Sequence, residues 1–178
     1  MMTTMFAARL LLLAATASAL SACATIGTSP NAPVATGHFV DATGAHRGTL
    51  AVMQQGDGSL RFAITATGLT PGVHGAHIHT TGQCEGPAFA SAGGHWNPDN
   101  HQHGTANPMG PHKGDLPNIT VDGSGNGAAT FTVPGPLSAM LDTDGAAFII
   151  HAAADDNMTD PSGNSGARQL CAVITAGG

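Results

Sequence analysis

The sequence predicts an all-β domain: an antiparallel sandwich or barrel with two long loops over one site. Three observations carry that reading. Short segments alternate apolar and polar residues, as half-buried strands do. Clusters of turn-forming residues separate them. The 178 residues include 25 glycines and 11 prolines, which disfavour long helices.

In chain order, the first stretch stands apart. Met1–Arg9 carries one positive charge, at Arg9, and Leu10–Leu20 is an apolar run rich in Leu and Ala. That run is shorter than the ~20 residues of a membrane-spanning helix. It suits the apolar part of a secretory leader. It ends in Leu20-Ser21-Ala22-Cys23, which resembles the cleavage box of bacterial lipoproteins, where the cysteine is lipidated. Residues 1–22 are therefore expected to be a lipoprotein leader. Small residues with Pro30 and Pro33 make 23–36 a flexible tether. Residues 37–178 remain as one domain. The expected location is outside the cytoplasm, in the bacterial periplasm or cell envelope, with a lipid anchor to the membrane through Cys23.

Within the domain, Leu60-Arg61-Phe62-Ala63-Ile64-Thr65 puts Leu, Phe and Ile on one face, and Thr130-Phe131-Thr132-Val133 does the same with Phe and Val. Both read as half-buried strands. Residues 55–59 and 122–127 are turn clusters rich in Gly, Asp and Ser. Ala146–Ile150 and Cys171–Ile174 read as buried strands. Thr80–Leu116 and Ala152–Ala167 lack sustained periodicity and read as long loops. Loops that long in a compact domain are usually functional.

Five basic residues face eleven acidic ones in the whole chain. Without Arg9 the basic residues are Arg47, Arg61, Lys113 and Arg168, so four against eleven leaves a formal charge of −7. Nucleic acid is excluded as a partner for such a surface. With Cys23 lipidated, Cys84 and Cys171 remain. An exported pair ordinarily forms a disulfide. Two metal thiolates are the alternative, against which stands the absence of any Cys-x-x-Cys pair.

The histidines carry the chemistry. His77-Ile78-His79, His95, His103 and His112-Lys113-Gly114-Asp115 fall within about forty residues, a concentration that points to metal binding. His151 follows an apolar run downstream. Imidazole suits copper and zinc, and carboxylate suits zinc. The set is too large for one four-coordinate ion, so two neighbouring metals are expected. His77 and His79, two apart in a strand, share a face. His74 falls on the opposite face and reads as a structural hydrogen-bonding residue. His101 and His103 are alternative candidates on the residues alone. His38 and His46 read as isolated surface histidines, and Trp96 as packing.

Several blocks then resemble one family in the same order. They are Gly72-Val73-His74-Gly75-Ala76-His77-Ile78-His79, Gly93-Gly94-His95-Trp96-Asn97-Pro98 and His103-Gly104. They continue as Gly110-Pro111-His112-Lys113-Gly114-Asp115-Leu116-Pro117-Asn118, Phe148–His151 with Asp155-Asp156, and Gly163–Cys171. The pattern, over roughly Gly37 to Gly178, resembles the copper/zinc superoxide dismutases.

The resemblance implies a Greek-key β-barrel or sandwich, immunoglobulin-like, of about eight strands. It implies one copper per subunit, held by His77, His79, His95 and His151. It implies one zinc per subunit, held by His95, His103, His112 and Asp115, with His95 bridging the ions. It selects His103 over His101. The implied activity is dismutation of superoxide by a Cu(II)/Cu(I) cycle, protecting the cell envelope. In that reading Arg168 docks the anion and His95 accepts a proton; these two are the catalytic residues. Asp155 links the copper ligand His77 to the zinc ligand His103. Family members dimerise through different surfaces, so a homodimer is compatible, with no surface marked by periodicity.

One departure from the family is that 152–167 contains no Lys or Arg to steer superoxide. Lys113 is the substitute candidate. The competing class is a non-catalytic copper- or zinc-binding envelope lipoprotein on the same fold.

Overall fold

The structure, a computed structural model, describes residues 32–177. The expected leader and Cys23 lie outside the described residues. The strands are β1 (Ala35–Val40), β2 (His46–Gln54), β3 (Leu60–Thr67), β4 (Gly72–His79), β5 (Asp115–Val121), β6 (Asn126–Val133), β7 (Ala147–His151), β8 (Arg168–Val173) and a two-residue β9 (Thr175–Ala176). Helix is confined to one turn at Leu137–Met140 and a 3-10 turn at Ala90–Ala92. β1 begins two residues inside the stretch expected to be tether. Ala35 is buried and pairs with Val52 and Ala176, so residues 35 and 36 belong to the domain.

The strands run β2-β3-β6-β5-β4-β7-β8-β1-β9, and β1 also pairs with β2, which closes eight strands into an antiparallel barrel. Closure leaves no free edge among the eight. The chain crosses from β3 to β4, returns from β5 to β6 and crosses again to β7, the expected Greek key. Two seams are thin. β5 meets β6 at Val121–Gly127, and β8 meets β1 at Val40–Cys171. They divide the barrel into a half of β1, β2, β3 and β6 and a half of β4, β5, β7 and β8.

The first half follows the alternation in the sequence. β3 buries Leu60, Phe62, Ile64 and Ala66 and turns Arg61, Thr65 and Thr67 outward. The second half is buried on both faces along much of β4 and throughout β7. Its inner face joins the main core, where Phe148 packs against Phe39, Phe62 and Phe131 at 5.6, 6.3 and 5.8 Å between ring centres. Its outer face lies under the loops. Phe89, Ala92, Ala147, Ile149 and Cys171 form a second small core there.

The second long loop stands where the lack of periodicity put it, at 152–167. The first spans 80–114, two residues shorter than expected because Asp115 and Leu116 open β5 and pair with His77 and Ala76. A disulfide between Cys84 and Cys171 (Cα–Cα 5.7 Å) ties the first loop to β8.

Candidate metal centre

Two strand irregularities aim the site. Between His74 and Ala76 the β4–β5 register shifts, so Pro117 and Asn118 oppose Gly75 alone. A bulge is where a strand tolerates proline. Asn118, freed from the ladder, clamps the second loop: its Nδ2 donates to the Asp155 carbonyl and its Oδ1 accepts the Asp155 N–H, both at 2.8 Å. The second shift lies between Ile150 and His151 and sets His151 opposite Arg168. A bridge between His79 and His95 fixes the first loop to the end of β4.

His77, His79, His95 and His151 each bring a ring nitrogen to within 4.8 Å of the others. All four are buried. Hydrogen bonds at the far nitrogens set their tautomers. His77 Nε2 donates to Asp155 Oδ2 (2.6 Å), His79 Nδ1 to the Gly93 carbonyl (3.0 Å) and His151 Nδ1 to the Gly166 carbonyl (3.1 Å). The remaining nitrogens, His77 Nδ1, His79 Nε2, His95 Nε2 and His151 Nε2, are buried without a hydrogen-bond partner. Leaving buried polar atoms unmatched costs about 1–3 kcal/mol each. Four bare lone pairs converging in one pocket fit a cation.

On the other side of His95, three Nδ1 atoms crowd one oxygen. Asp115 Oδ1 lies 2.8 Å from His95 Nδ1, 3.0 Å from His103 Nδ1 and 3.2 Å from His112 Nδ1. His103 also donates Nε2–H to Asp155 Oδ1 at 3.0 Å. In its neutral form its Nδ1 is then a bare lone pair facing a carboxylate, which only a proton or a cation can reconcile. His95, His103, His112 and Asp115 thus lie together, with His95 between the two clusters. The second group whose ligand atoms all lie within 4.8 Å of one another is His77, His95, His103 and Asp115, and His112 joins it through Asp115 Oδ1.

The titration behaviour separates His79, His95 and His151 of the four-imidazole pocket from His103. Burial, then the neighbouring His95, lowers His79 to about 2. Burial, then His77, lowers His151 to about 3. Burial lowers His95 to about 4, opposed by its bond to Asp115. These three stay neutral, as ligands must. His103 is raised to about 9: burial opposes the shift, and bonds to Asp115 and Asp155 outweigh it. Burial would raise Asp155, but bonds from His77 and His103 bring it to about 2.

Arg168 Nη1 donates to the Phe89 carbonyl and Nη2 to the Gly93 carbonyl, both at 2.6 Å. Gly93 thus holds both Arg168 and His79. Phe89 takes a left-handed φ of 53° to present its carbonyl, a conformation of order 1–3 kcal/mol above the ordinary. Arg168 lines a cavity of ≈ 600 Å³ with Pro87, Ala88, Ala90, Gly166 and Ala167. It is the one charged residue there.

Other expectations meet mixed outcomes. His101 is exposed, bonded to the Pro111 carbonyl, while His103 is fully buried. His74 is structural, lying between the carbonyls of His151 (2.7 Å) and Thr70 (2.8 Å). Lys113 is not among the residues lining the Arg168 cavity. It pairs with Asp99 at 3.2 Å beside Trp96 and lines a different cavity with His112 and Asp115. His38 and His46 are not isolated; their ring nitrogens lie 3.1 Å apart.

The sequence reading missed Asn118, Asp160 and Gly163. Asp160 Oδ1 accepts the His103 N–H at 2.7 Å. A side chain at Gly163 would collide with Asp155 and His103. The positive φ of Gly163 was invisible, but its place inside a motif block was a signal.

A family model described as copper/zinc superoxide dismutase (SODC) matches residues 46–174. The chain belongs to that family. The superoxide dismutase-like protein YojM of Bacillus subtilis is 44% identical over 143 residues, covering 76% of this chain and 73% of YojM. A Cu-Zn superoxide dismutase of Caulobacter vibrioides is 40% identical over 147 residues, covering 70% of this chain and 83% of that protein. Among solved structures, a SOD-like protein from Bacillus subtilis with Tyr-to-His and Pro-to-His substitutions aligns with a TM-score of 0.75 at 44% identity. That match covers 80% of this chain and 97% of that one. The two clusters, His77/His79/His95/His151 and His77/His95/His103/Asp115, are compatible with the copper and zinc that the family implies.

Proposed function

We propose that the protein is a superoxide dismutase of the cell envelope, converting two superoxide ions and two protons to dioxygen and hydrogen peroxide. The observation that carries this is His95. It stands between a pocket of four bare imidazole nitrogens and a cluster of three imidazoles on one carboxylate, beside an anchored arginine.

His77, His79, His95 and His151 would hold copper, and His95, His103, His112 and Asp115 would hold zinc. Copper would supply one-electron redox chemistry and zinc a fixed charge that shapes the site. The chain's own residues do the rest. Arg168 has spent two of its five N–H donors on carbonyls, and the remainder can orient a diatomic anion. Its carbonyl clamps hold the guanidinium still, so little ordering is left for the moment of binding. His95 Nε2 is the atom that holds and delivers a proton, while Nδ1 stays engaged toward Asp115. Asp155 fixes His77 and His103 by their far nitrogens, tying the two sets together.

Export, lipid attachment at Cys23, a homodimer and protection of the envelope belong to the same reading. The Cys84–Cys171 disulfide supports export.

The test is superoxide consumption by the mature protein reconstituted with copper and zinc, beside Arg168→Ala and His95→Ala. Rapid consumption, absent from zinc-only protein and strongly reduced in both variants, is expected. The superoxide dismutase-like label of YojM favours a second reading, a non-catalytic metal-binding protein. It would be adopted if the loaded protein consumed no more superoxide than free copper.

A further inference from the structure

The remaining histidines, His38 and His46, stand outside the buried centre. His38 lies on β1 and His46 opens β2, and both are exposed. His38 Nδ1 and His46 Nε2 are 3.1 Å apart, with ring centres 5.2 Å apart and planes inclined at 53°. We propose that they form a second, solvent-facing metal site for one divalent borderline cation, copper(II) foremost.

The first argument is spacing. Two metal–nitrogen bonds of ~2.0 Å at angles between square and tetrahedral place their nitrogens about 2.8–3.3 Å apart. The observed separation falls within that range. An ion can therefore span the two nitrogens without a change in their separation, each exposed ring turning its lone pair toward the ion.

The second argument is rigidity. The hairpin that presents the rings is braced by one carboxylate. Asp41 Oδ1 accepts the N–H of Thr43 (2.9 Å), the Thr43 hydroxyl (2.6 Å) and the N–H of Ala45 (3.1 Å), and Asp41 Oδ2 accepts Arg47 Nε at 2.7 Å. The strands on either side are in register from Ala35–Val52 to Phe39–Gly48. Two imidazoles on adjoining strands of a closed barrel are a preorganised pair of ligands.

The third argument is donor chemistry. Asp41 is committed to its turn and to Arg47, so the site offers two imidazoles and open positions for water. Nitrogen donors without thiolate or a second carboxylate favour copper(II) among the divalent ions of the first row. An open two-ligand site exchanges its ion readily, unlike the buried centre.

The test uses untagged, copper- and zinc-loaded protein in equilibrium dialysis against micromolar copper(II), followed by electron paramagnetic resonance. One further copper per chain is expected, with a signal showing coupling to two nitrogens and distinct from the buried centre. In the His38→Gln/His46→Gln double variant that signal should vanish, while the buried copper spectrum and superoxide consumption stay unchanged. The unchanged buried spectrum also reports that the variant is folded. The proposal is overturned if no further copper binds, or if the extra copper persists in the double variant. Tighter uptake of zinc than copper in a competition arm overturns the copper assignment.

Discussion

The two halves of the barrel are built differently. β1, β2, β3 and β6 hold together by their ladders and a one-sided core, and their outward residues meet solvent. β4, β5, β7 and β8 carry bulges, a strand proline and a centre of buried imidazoles, and they are covered by loops without regular structure. The first half follows its own sequence pattern and shares its core with Phe148 of the second. The second gathers polar groups whose burial is tolerable only when they have partners. The lesson is that stability in the site half rests on bonds between distant segments, where the other half rests on apolar area.

Chelation is the sharpest way to test that contrast. Removing metal should produce the largest loss of stability and confine the local loss to one half. Amide exchange in 80–114 and 152–167 should accelerate, while β3 and β6 keep their protection until global unfolding. Equal loss across both halves would break the comparison.

The metal-free protein should then show a stability maximum near neutral pH. His79, His95 and His151 have folded values of about 2, 4 and 3 against 6.5 in the free chain. Above 6.5 they are neutral in both states and contribute nothing. Below it the unfolded chain takes up protons that the folded chain refuses, so stability falls with acidification. His103 works in reverse. Its value of about 9 gives a contribution complete below 6.5 and lost as pH rises through 9. Denaturant midpoints at pH 5, 7 and 10 on apo protein measure both limbs; a flat profile would refute the burial argument.

Opening the disulfide comes next. Cys84→Ser with Cys171→Ser releases a cross-link spanning 87 residues, worth about 4–5 kcal/mol in the chain-entropy model. Chemical denaturation gives the size of the effect. Arg168 should also loosen, because its Phe89 and Gly93 clamps lie in the loop the bridge holds. Superoxide consumption should therefore fall further than the copper content does.

Asp155→Asn should have a smaller effect. It replaces the carboxylate that joins His77 to His103 and should weaken metal affinity by about 10–100-fold. A competition assay with a chromophoric chelator reads it directly. The corresponding change in the regular half, Thr65→Ala on the outer face of β3, should stay within about 0.5 kcal/mol and leave metal affinity unchanged.

Much of this molecule is legible in its local pattern. The alternation at 60–65 and 130–133, the apolar runs before His151 and around Cys171, and the two aperiodic loops all stand where periodicity puts them. β5 escapes that reading because Pro117 argues against a strand, and only pairing with β4 reveals the bulge that accommodates it. His77 and His79 share a face because strand side chains alternate, a property of two residues alone. The choice of His103 over His101 is different. It rests on the family resemblance, and in the structure on which ring the chain carries inward.

What the sequence alone determined is the chemistry available: a run of metal-type histidines with Asp115 among them, an arginine shortly before Cys171, a pair of cysteines in the domain and an acidic composition. What only the tertiary structure decided is the state of each group. The bare nitrogen on His77 is chosen by Asp155, 78 residues away. Arg168 is anchored by carbonyls 79 and 75 residues away. Lys113 is withdrawn to Asp99, and His38 meets His46 across a hairpin. Residue type is local, but the direction of a lone pair depends on what the rest of the ring touches, and folding alone brings those partners together.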